Sequence, residues 1–295
     1  MEPGNLNYSR SGTQKFDIMN NTFDFNRFGK YYVSDLKNTF NNTWLTVLLT
    51  SLSGLIAYVF CGLMNLFISG SWGSYELIGR SITFVILLYV LIIIIPAKAY
   101  GFFTDKRKGS FYTLIPASAF EKFLSMFINT AILMPLAYFV IALTGDALLC
   151  LVDHGCGQPL ITAGAEAASE FNEFFGSIAD TANFSIFSTG ELIYGVVINL
   201  ISWALVFLLG ALYFKKNKIG KTILVLIVIE MAFSMVLTPI MMHVGEGLLN
   251  WLSELEADNI ARTFNSIKWS SYTFGLLVTI GLAVWGYFRV KTVKY

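Results

Sequence analysis

The sequence predicts an all-α integral membrane protein with six transmembrane helices, and three observations support this fold class. Hydrophobic residues make up 55% of the 295 residues and charged residues only 13%, whereas soluble domains have about 25% charged residues. The chain also has 26 Phe, 14 Tyr and 6 Trp, as expected where rings pack against lipid and lie at membrane interfaces. Apolar runs of the roughly 20 residues that cross about 30 Å of hydrocarbon occur near 44–69, 79–99, 121–149, 189–213, 222–243 and 270–289.

The distribution of basic residues predicts that both termini lie in the cytoplasm. Six spans place the two termini on one side, and with the amino terminus inside, 17 of the 20 Lys and Arg residues are cytoplasmic. Only Arg80, Arg262 and Lys268 then lie outside, which satisfies the positive-inside rule. The net charge of +1 gives no reason to expect a nucleic-acid partner.

The chain is predicted to form one transmembrane domain, residues 25–290, between a flexible N-terminal segment, 1–24, and a cytoplasmic tail, 291–295. The first 40 residues are polar, so we expect no cleaved signal peptide.

Residues 23–44 predict an amphipathic helix that lies in the membrane interface and leads into the first span. Its apolar residues recur at spacings of three or four, while its basic residues fall on other faces, near the anionic lipid headgroups. Such a helix is either a simple anchor or part of the functional machinery. The residues of the apolar face are Phe25, Phe28, Tyr32, Leu36 and Phe40.

Two segments on the outer side also have helical patterns. In the loop 152–188, one helical stripe is acidic and another apolar; these are Glu166, Glu170 and Glu173, and Phe171, Phe174, Phe175 and Ile178. In 246–264, four leucines share one face before Asp258 and Asn259 interrupt the pattern. We expect the second segment to be a helix that lies on, or dips into, the outer leaflet before the last span.

No arrangement of residues in the sequence predicts an enzyme active site. Asp153, His154 and Cys156 are close together, but three donors in four residues are a weak basis for a metal site. Cys150 and Cys156 either form a disulfide, if that side of the membrane is oxidising, or stay apart because Cys150 lies within the span. The tripeptide that begins at Gly220 ends like a phosphate-binding loop, but the position where that motif needs its first glycine is Lys215.

Glu230 is an ionisable residue inside the fifth predicted span, where a charge is costly and therefore a functional candidate. It serves either as a proton or cation relay, or as a buried group that is hydrogen-bonded to Asn199 or Ser202 of the fourth span. Pro135 and Pro239 lie within spans and are expected to kink them.

The stretch 100–124 combines three features in one short loop between the second and third spans. A hydrated charged group comes first, formed by Asp105, Lys106, Arg107 and Lys108, and an apolar group follows, formed by Phe111, Tyr112, Leu114 and Ile115. Ser118 then precedes Glu121 by three residues, which is the spacing of a capping box that begins the third span. The apolar group either binds a protein partner or folds back into the lipid headgroups.

The stretch FTDKRKGSFYTLIPASAFEKFLS resembles a segment that follows the second span in the permease subunit of bacterial type-2 ABC exporters, with Ile115 where that segment has Leu. The layout of residues 25–290 is also similar to that family, although the specific motif covers only about 20 residues and the loop 152–188 is longer than is usual there.

The resemblance implies a membrane permease that works with a separate ATP-binding cassette subunit, and it implies a location in the bacterial cytoplasmic membrane. Within the cytoplasmic loop 104–118, residues 105–118 would hold the coupling helix, and residues 25–41 would form a connecting helix beside it. This chain would bind no cofactor, because ATP and Mg²⁺ would be held by the partner subunit. A second permease chain, identical or paralogous, would complete the pathway. The docking residues implied are Phe111, Tyr112, Leu114 and Ile115 as anchors, with Lys106, Arg107 and Lys108 setting the orientation.

Two other function classes remain compatible with the sequence. An ion- or proton-coupled secondary transporter would be centred on Glu230, and it would need further polar groups in the membrane and paired halves. A non-transporting membrane sensor or assembly protein would bind its partner through the acidic outer loops. The sequence names no transported substrate.

Overall fold

A computed structural model describes residues 23–70, 72, 77–105, 109, 115–153, 156, 158–166, 169, 189–253 and 257–292, with backbone only at 78, 189, 192, 240–253, 257–262 and 264. Within these ranges the chain is helical and has no strand, and six helical segments are long and apolar enough to cross a membrane, as predicted. The expected flexible segment 1–24 falls almost entirely outside the described residues.

The helices are α1 (Phe25–Ser69), α2 (Leu77–Tyr100), α3 (Ala119–Phe127), α4 (Met134–Val152), α5 (Thr189–Tyr213), α6 (Lys218–Ser253) and α7 (Ala257–Thr292).

Helix α1 is continuous, so the predicted interfacial helix and the first span form one element rather than two. Asp24 caps its start by accepting a hydrogen bond from the Asn26 amide at 2.8 Å, and Gly70 ends it with a φ of 69°, in the left-handed region that glycine adopts at low cost. No Gly or Pro occurs between residues 30 and 53, and nothing in the backbone therefore favours a break near residue 44. Its 45 residues correspond to about 67 Å of helix.

The third span is interrupted by a short π-helix, Ile128–Leu133, between α3 and α4. Pro135 follows directly, in the first turn of α4. A proline has no amide to donate to the carbonyl four residues earlier, and the wider π turn is one way to accommodate that missing bond. The predicted irregularity at Pro135 is therefore present as a π segment, whereas Pro239 lies inside α6 without ending it.

The outer helix predicted for residues 246–264 is wrong as a separate element. Residues 246–253 continue α6, and residues from 257 onward already belong to α7. Both ends of the segment thus extend neighbouring spans. In the other outer segment, residues 160–166 are helical and include Glu166, while the remaining residues of the two predicted stripes lie outside the described part of the chain.

The bundle is organised around α5, which packs against α2, α6 and α7, while α1 packs against α2 and α4. Of the residues in the most apolar part of α5, 44% are buried, compared with 6% in α6 and in α7. At Gly210 of α5 an added Cβ would overlap Thr222 of α6, so the close approach of these two helices requires glycine. One face of α6 and α7 is thus left open, and the best-packed core lies between α1, α2, α4 and α5.

Candidate functional site

The predicted docking loop is described mainly at its two ends. Lys106, Arg107, Lys108, Phe111, Tyr112 and Leu114 lie outside the described residues. Ile115 is described and is half-buried, because it packs against a core cluster that includes Phe103 and Phe123. Part of its surface is therefore used within its own chain. We call the end of the bundle that carries residues 100–124 the loop end.

The capping box predicted at the start of the third span is confirmed. The Ser118 hydroxyl accepts from the Glu121 amide at 3.2 Å, and the Glu121 carboxylate accepts from the Ser118 amide at 2.9 Å. The two residues satisfy each other's free amides at the first turn of α3, which fixes where the loop stops and the helix starts.

The same Glu121 carboxylate also holds the beginning of α1. Arg27 donates to it from Nη2 at 2.6 Å and from Nε at 2.9 Å, and the backbone amide of Asp24 donates at 3.0 Å. The Glu121 side chain is fully buried, whereas that of Arg27 is 30% exposed. A buried carboxylate is stable when charged donors and amides surround it. Here the Ser118 amide comes from the start of α3, whereas the Asp24 amide and the Arg27 guanidinium come from the start of α1, and Arg27 is 94 residues from Glu121 in sequence. We call this group of residues the Glu121 anchor.

A second buried carboxylate, that of Asp35, lies about two turns beyond Arg27 along α1. Three donors converge on Oδ2 of Asp35: the Tyr100 hydroxyl at 2.8 Å, the Ser125 hydroxyl at 2.5 Å and the Asn129 amide at 3.2 Å. Asn129 also donates to the Tyr100 hydroxyl at 2.9 Å and belongs to the π-helix. This Asp35 cluster joins α1, α2, α3 and the π-helix at the loop end.

The first residues of the loop are attached to a different pair of helices. Gly101–Thr104 form a 3₁₀ turn in which Phe103 is buried. The Thr104 hydroxyl donates to the Phe214 carbonyl at 3.2 Å, and the Lys218 ammonium donates to the Gly101 carbonyl. Phe214 and Lys218 flank the connection between α5 and α6. The loop therefore begins at the α5–α6 connection and ends at the Glu121 anchor.

The apolar face predicted for the start of α1 is only partly buried against the rest of the chain. Phe25 is 81% exposed and Phe40 is 56% exposed, while Phe28, Tyr32 and Leu36 are half-buried. The buried face instead carries the mostly polar residues Tyr31, Asp35, Thr39 and Thr43. The helix presents polar groups to the protein and leaves part of its predicted apolar face accessible.

Glu230 does not have the partners that were considered for a buried acid. It is exposed on α6 and makes no hydrogen bond to the described residues. Asn199 instead accepts from the Tyr89 hydroxyl at 3.1 Å, and the Ser202 and Thr279 hydroxyls lie 2.6 Å apart. The interpretation of Glu230 as a group bonded to Asn199 or Ser202 is therefore wrong.

The opposite end of the bundle contains a buried cation, Arg80. The charge distribution of the sequence predicts only that this residue lies on the outer side. Arg80 is 5% exposed, and its guanidinium donates to Asp146 at 2.8 Å and to the Gln158 carbonyl at 2.7 Å. Cys150 and Cys156, whose pairing the sequence left open, form a disulfide, and Arg80 donates to both sulfur atoms at 3.0 and 2.9 Å.

The residues described contain no group of His, Cys, Asp or Glu suited to a metal ion, and His154 lies outside them.

Comparisons of the chain with protein-family models, with curated proteins and with solved structures found no match.

The contacts of the Glu121 anchor and the Arg80–Asp146 ion pair can be predicted from the sequence only in part. The capping box is local and was read from spacing, but nothing in the sequence indicates that Arg27 binds the same Glu121. Asp146 was not singled out, although an acid inside an apolar run is itself a signal that a buried basic partner is needed. Arg80 was the only basic residue at the start of the second span and could have been proposed as that partner.

The first prediction concerns the Glu121 anchor. Glu121→Gln removes the negative charge that Arg27 binds, and we expect a loss of about 2 kcal/mol in the free energy of unfolding, measured by SDS titration of the purified protein in detergent. Ser118→Ala, which removes only the cap, is expected to cost about 1 kcal/mol. The double variant E121Q/R27Q is expected to cost less than the sum of the two single variants, because both remove one interaction.

Lys30→Gln is the matched control for Arg27→Gln, because Lys30 is exposed on the same helix and its removal changes the net charge equally. If K30Q and R27Q destabilise the protein to the same extent, Arg27 has no special role at Glu121.

The second prediction concerns the ion pair at the opposite end. Arg80→Met leaves the buried Asp146 without its cationic partner and with only the Leu160 amide as donor, and we expect it to cost about 3–5 kcal/mol, of which the double variant R80M/D146L recovers a large part. Lys268→Met breaks the Lys268–Glu191 pair, also 2.8 Å long but with 21% of the Glu191 side chain exposed. We expect it to cost less, because the remaining carboxylate reaches water. Equal losses for R80M and K268M in the same titration would contradict the burial argument.

Proposed function

We propose that this chain is the membrane permease subunit of an ATP-driven exporter of the ABC type, located in the bacterial cytoplasmic membrane. The observation that carries the proposal is that the loop 104–118 is bonded at both ends to different membrane helices. Its first residue, Thr104, bonds to the Phe214 carbonyl at the α5–α6 connection, and its last residue, Ser118, bonds to Glu121, whose carboxylate also binds Arg27 of α1. A loop held in this way passes a displacement to the bundle rather than absorbing it.

The contacts suggest how such a displacement would act. A partner that moves the apolar part of the loop would pull α3 through Ser118 and Glu121, and α1 would follow because its first turn is held by the same carboxylate. The start of the loop would carry α5 and α6 with it. Motions of packed helices as units are the usual form of such transitions, and this coupling is what a permease needs if another subunit supplies the energy.

The proposal assigns ATP chemistry to a separate subunit. This chain lacks a complete phosphate-binding loop, since Lys215 stands where the first glycine of that motif is needed. A separate ATP-binding cassette subunit would hold ATP and Mg²⁺, and a second permease chain, identical or paralogous, would complete the pathway. The resemblance of residues 103–125 to the loop segment of such permeases supports the same assignment.

The third prediction tests the docking loop. Phe111→Asp and Leu114→Asp place a charge in the proposed contact, and we expect either change to abolish co-purification of the proposed ATP-binding cassette subunit, because a buried unpaired charge is costly at an interface. The control is Thr292→Asp, an exposed position at the same end of the bundle but outside the loop, which should leave co-purification unchanged. Equal recovery of the ATPase with F111D, L114D and T292D would refute the docking assignment.

The fourth prediction separates this proposal from a proton-coupled transporter centred on Glu230. Among the described residues no second titratable side chain contacts Glu230, and a relay would need such a group. We expect Glu230→Gln to leave ATP hydrolysis by the reconstituted complex unchanged, and a protonophore to leave wild-type activity unchanged. Loss of activity in E230Q, with normal expression and assembly, would instead support proton coupling.

A further inference from the structure

An apolar groove opens on the surface of the bundle at the loop end, between α5, α6 and α7. Its volume is about 260 Å³, and its inner part is lined by Val206, Leu209, Val225, Ile229 and Leu282. Val225 and Ile229 are 42% and 56% exposed, so the groove is open to the side rather than enclosed. Such a groove in a membrane favours an apolar occupant.

Aromatic residues with polar tips form the rim of the groove at the loop end. The Trp285 indole donates to the Tyr213 hydroxyl at 2.8 Å, and both residues line the groove. The Arg289 guanidinium lies 4.4 Å from the centre of the Tyr213 ring and donates to the Leu212 carbonyl at 3.3 Å. Trp and Tyr concentrate at the depth of lipid headgroups, so this rim marks the level where acyl chains give way to polar groups.

Basic residues are next in sequence to residues that line this end of the groove. Phe214 and Thr222 line the groove, and their neighbours in sequence are Lys215 and Lys221, both exposed, with the exposed Lys216 between them. No acidic residue lines the groove, and none occurs in residues 210–222 or 282–292. The groove is thus apolar along its length and positively charged at one end.

We propose that this groove binds one anionic phospholipid, with an acyl chain along Val225, Ile229 and Leu282 and the phosphate among Lys215, Lys221 and Arg289. Basic pockets between transmembrane helices recognise anionic headgroups in this way. A neutral lipid would fill the apolar part without using the cations. A helix of a second chain would bring the lysines into an interface, where unpaired charges are costly. The inference does not depend on the transport proposal, because it uses only the groove and its charges.

The test uses the full chain purified in a neutral detergent. Dioleoylphosphatidylglycerol is added and binding is followed by native mass spectrometry and by the rise in Tm that preferential binding to the folded state produces. We expect one tightly bound phosphatidylglycerol per chain, with dioleoylphosphatidylcholine binding more weakly. Glycerol 3-phosphate, which has the charge without the acyl chains, should give no shift.

Two kinds of variant separate the charge from the groove. The double variant K215Q/K221Q is expected to weaken phosphatidylglycerol binding about 25-fold, roughly fivefold for each lysine, and to leave phosphatidylcholine binding unchanged. Val225→Trp fills the groove from an exposed position and should abolish binding of both lipids. Lys291→Gln is the matched control, because Lys291 is exposed at the same end but, unlike Lys215 and Lys221, is not next in sequence to a residue that lines the groove.

Each alternative result overturns the proposal. Equal binding of phosphatidylglycerol and phosphatidylcholine would remove the role of the lysines, and so would an unchanged affinity in K215Q/K221Q. A full Tm shift with glycerol 3-phosphate would remove the role of the acyl chain. If V225W does not fold, Leu282→Phe tests the same space, and unaltered phosphatidylglycerol binding in a folded groove-filling variant would exclude the groove.

Discussion

The loop end of this membrane bundle depends on the carboxylate of Glu121. It completes the cap of α3, binds the guanidinium of Arg27 and accepts the amide of Asp24. Because the side chain is fully buried, its charge must be compensated inside the protein, and every donor that compensates it also positions a chain segment. The end of the loop, the start of the third span and the first turn of α1 are therefore located by one group.

The Asp35 cluster extends this arrangement deeper into the bundle. Apolar side chains give little preference for one helix pairing over another in lipid, because acyl chains are as apolar as they are. Directional bonds from Tyr100, Ser125 and Asn129 to one oxygen atom of Asp35 supply such a preference. The loop end is thus held by polar contacts between α1, α2 and the third span, while α6 and α7 leave an open face. A groove forms where those two helices meet α5, and its rim carries the basic residues.

Local and compositional features of this fold could be predicted from the sequence, and long-range polar contacts could not. Six spans follow from apolar length, and the capping box follows from the spacing of Ser118 and Glu121. The continuity of α1 was missed because its composition changes near residue 44, while helix continuity depends on backbone compatibility, and no Gly or Pro interrupts that region. The protein-facing side of α1 was not predicted, because its buried residues Asp35, Thr39 and Thr43 are polar and the groups that bind Asp35 come from distant parts of the chain. The prediction of a separate outer helix in residues 246–264 was wrong because the sequence pattern of a surface helix also fits the ends of two long spans.

The π-helix at Ile128–Leu133 has a consequence for the alignment of the loop end with the membrane part of the third span. Each residue of an α-helix advances the direction of its side chain by about 100°, and a π turn takes up one residue more than an α turn. Residues on α3 therefore point about 100° away from where an unbroken α-helix running back from α4 would place them. Glu121 faces Arg27 while Met134 and Tyr138 still face the core. A change of 128–133 to regular α geometry at unchanged length would therefore turn Glu121 about 100° away from α1 without altering any residue of the anchor, whereas a single-residue deletion there would keep Glu121 facing Arg27, because the shorter α-helix covers the same rotation.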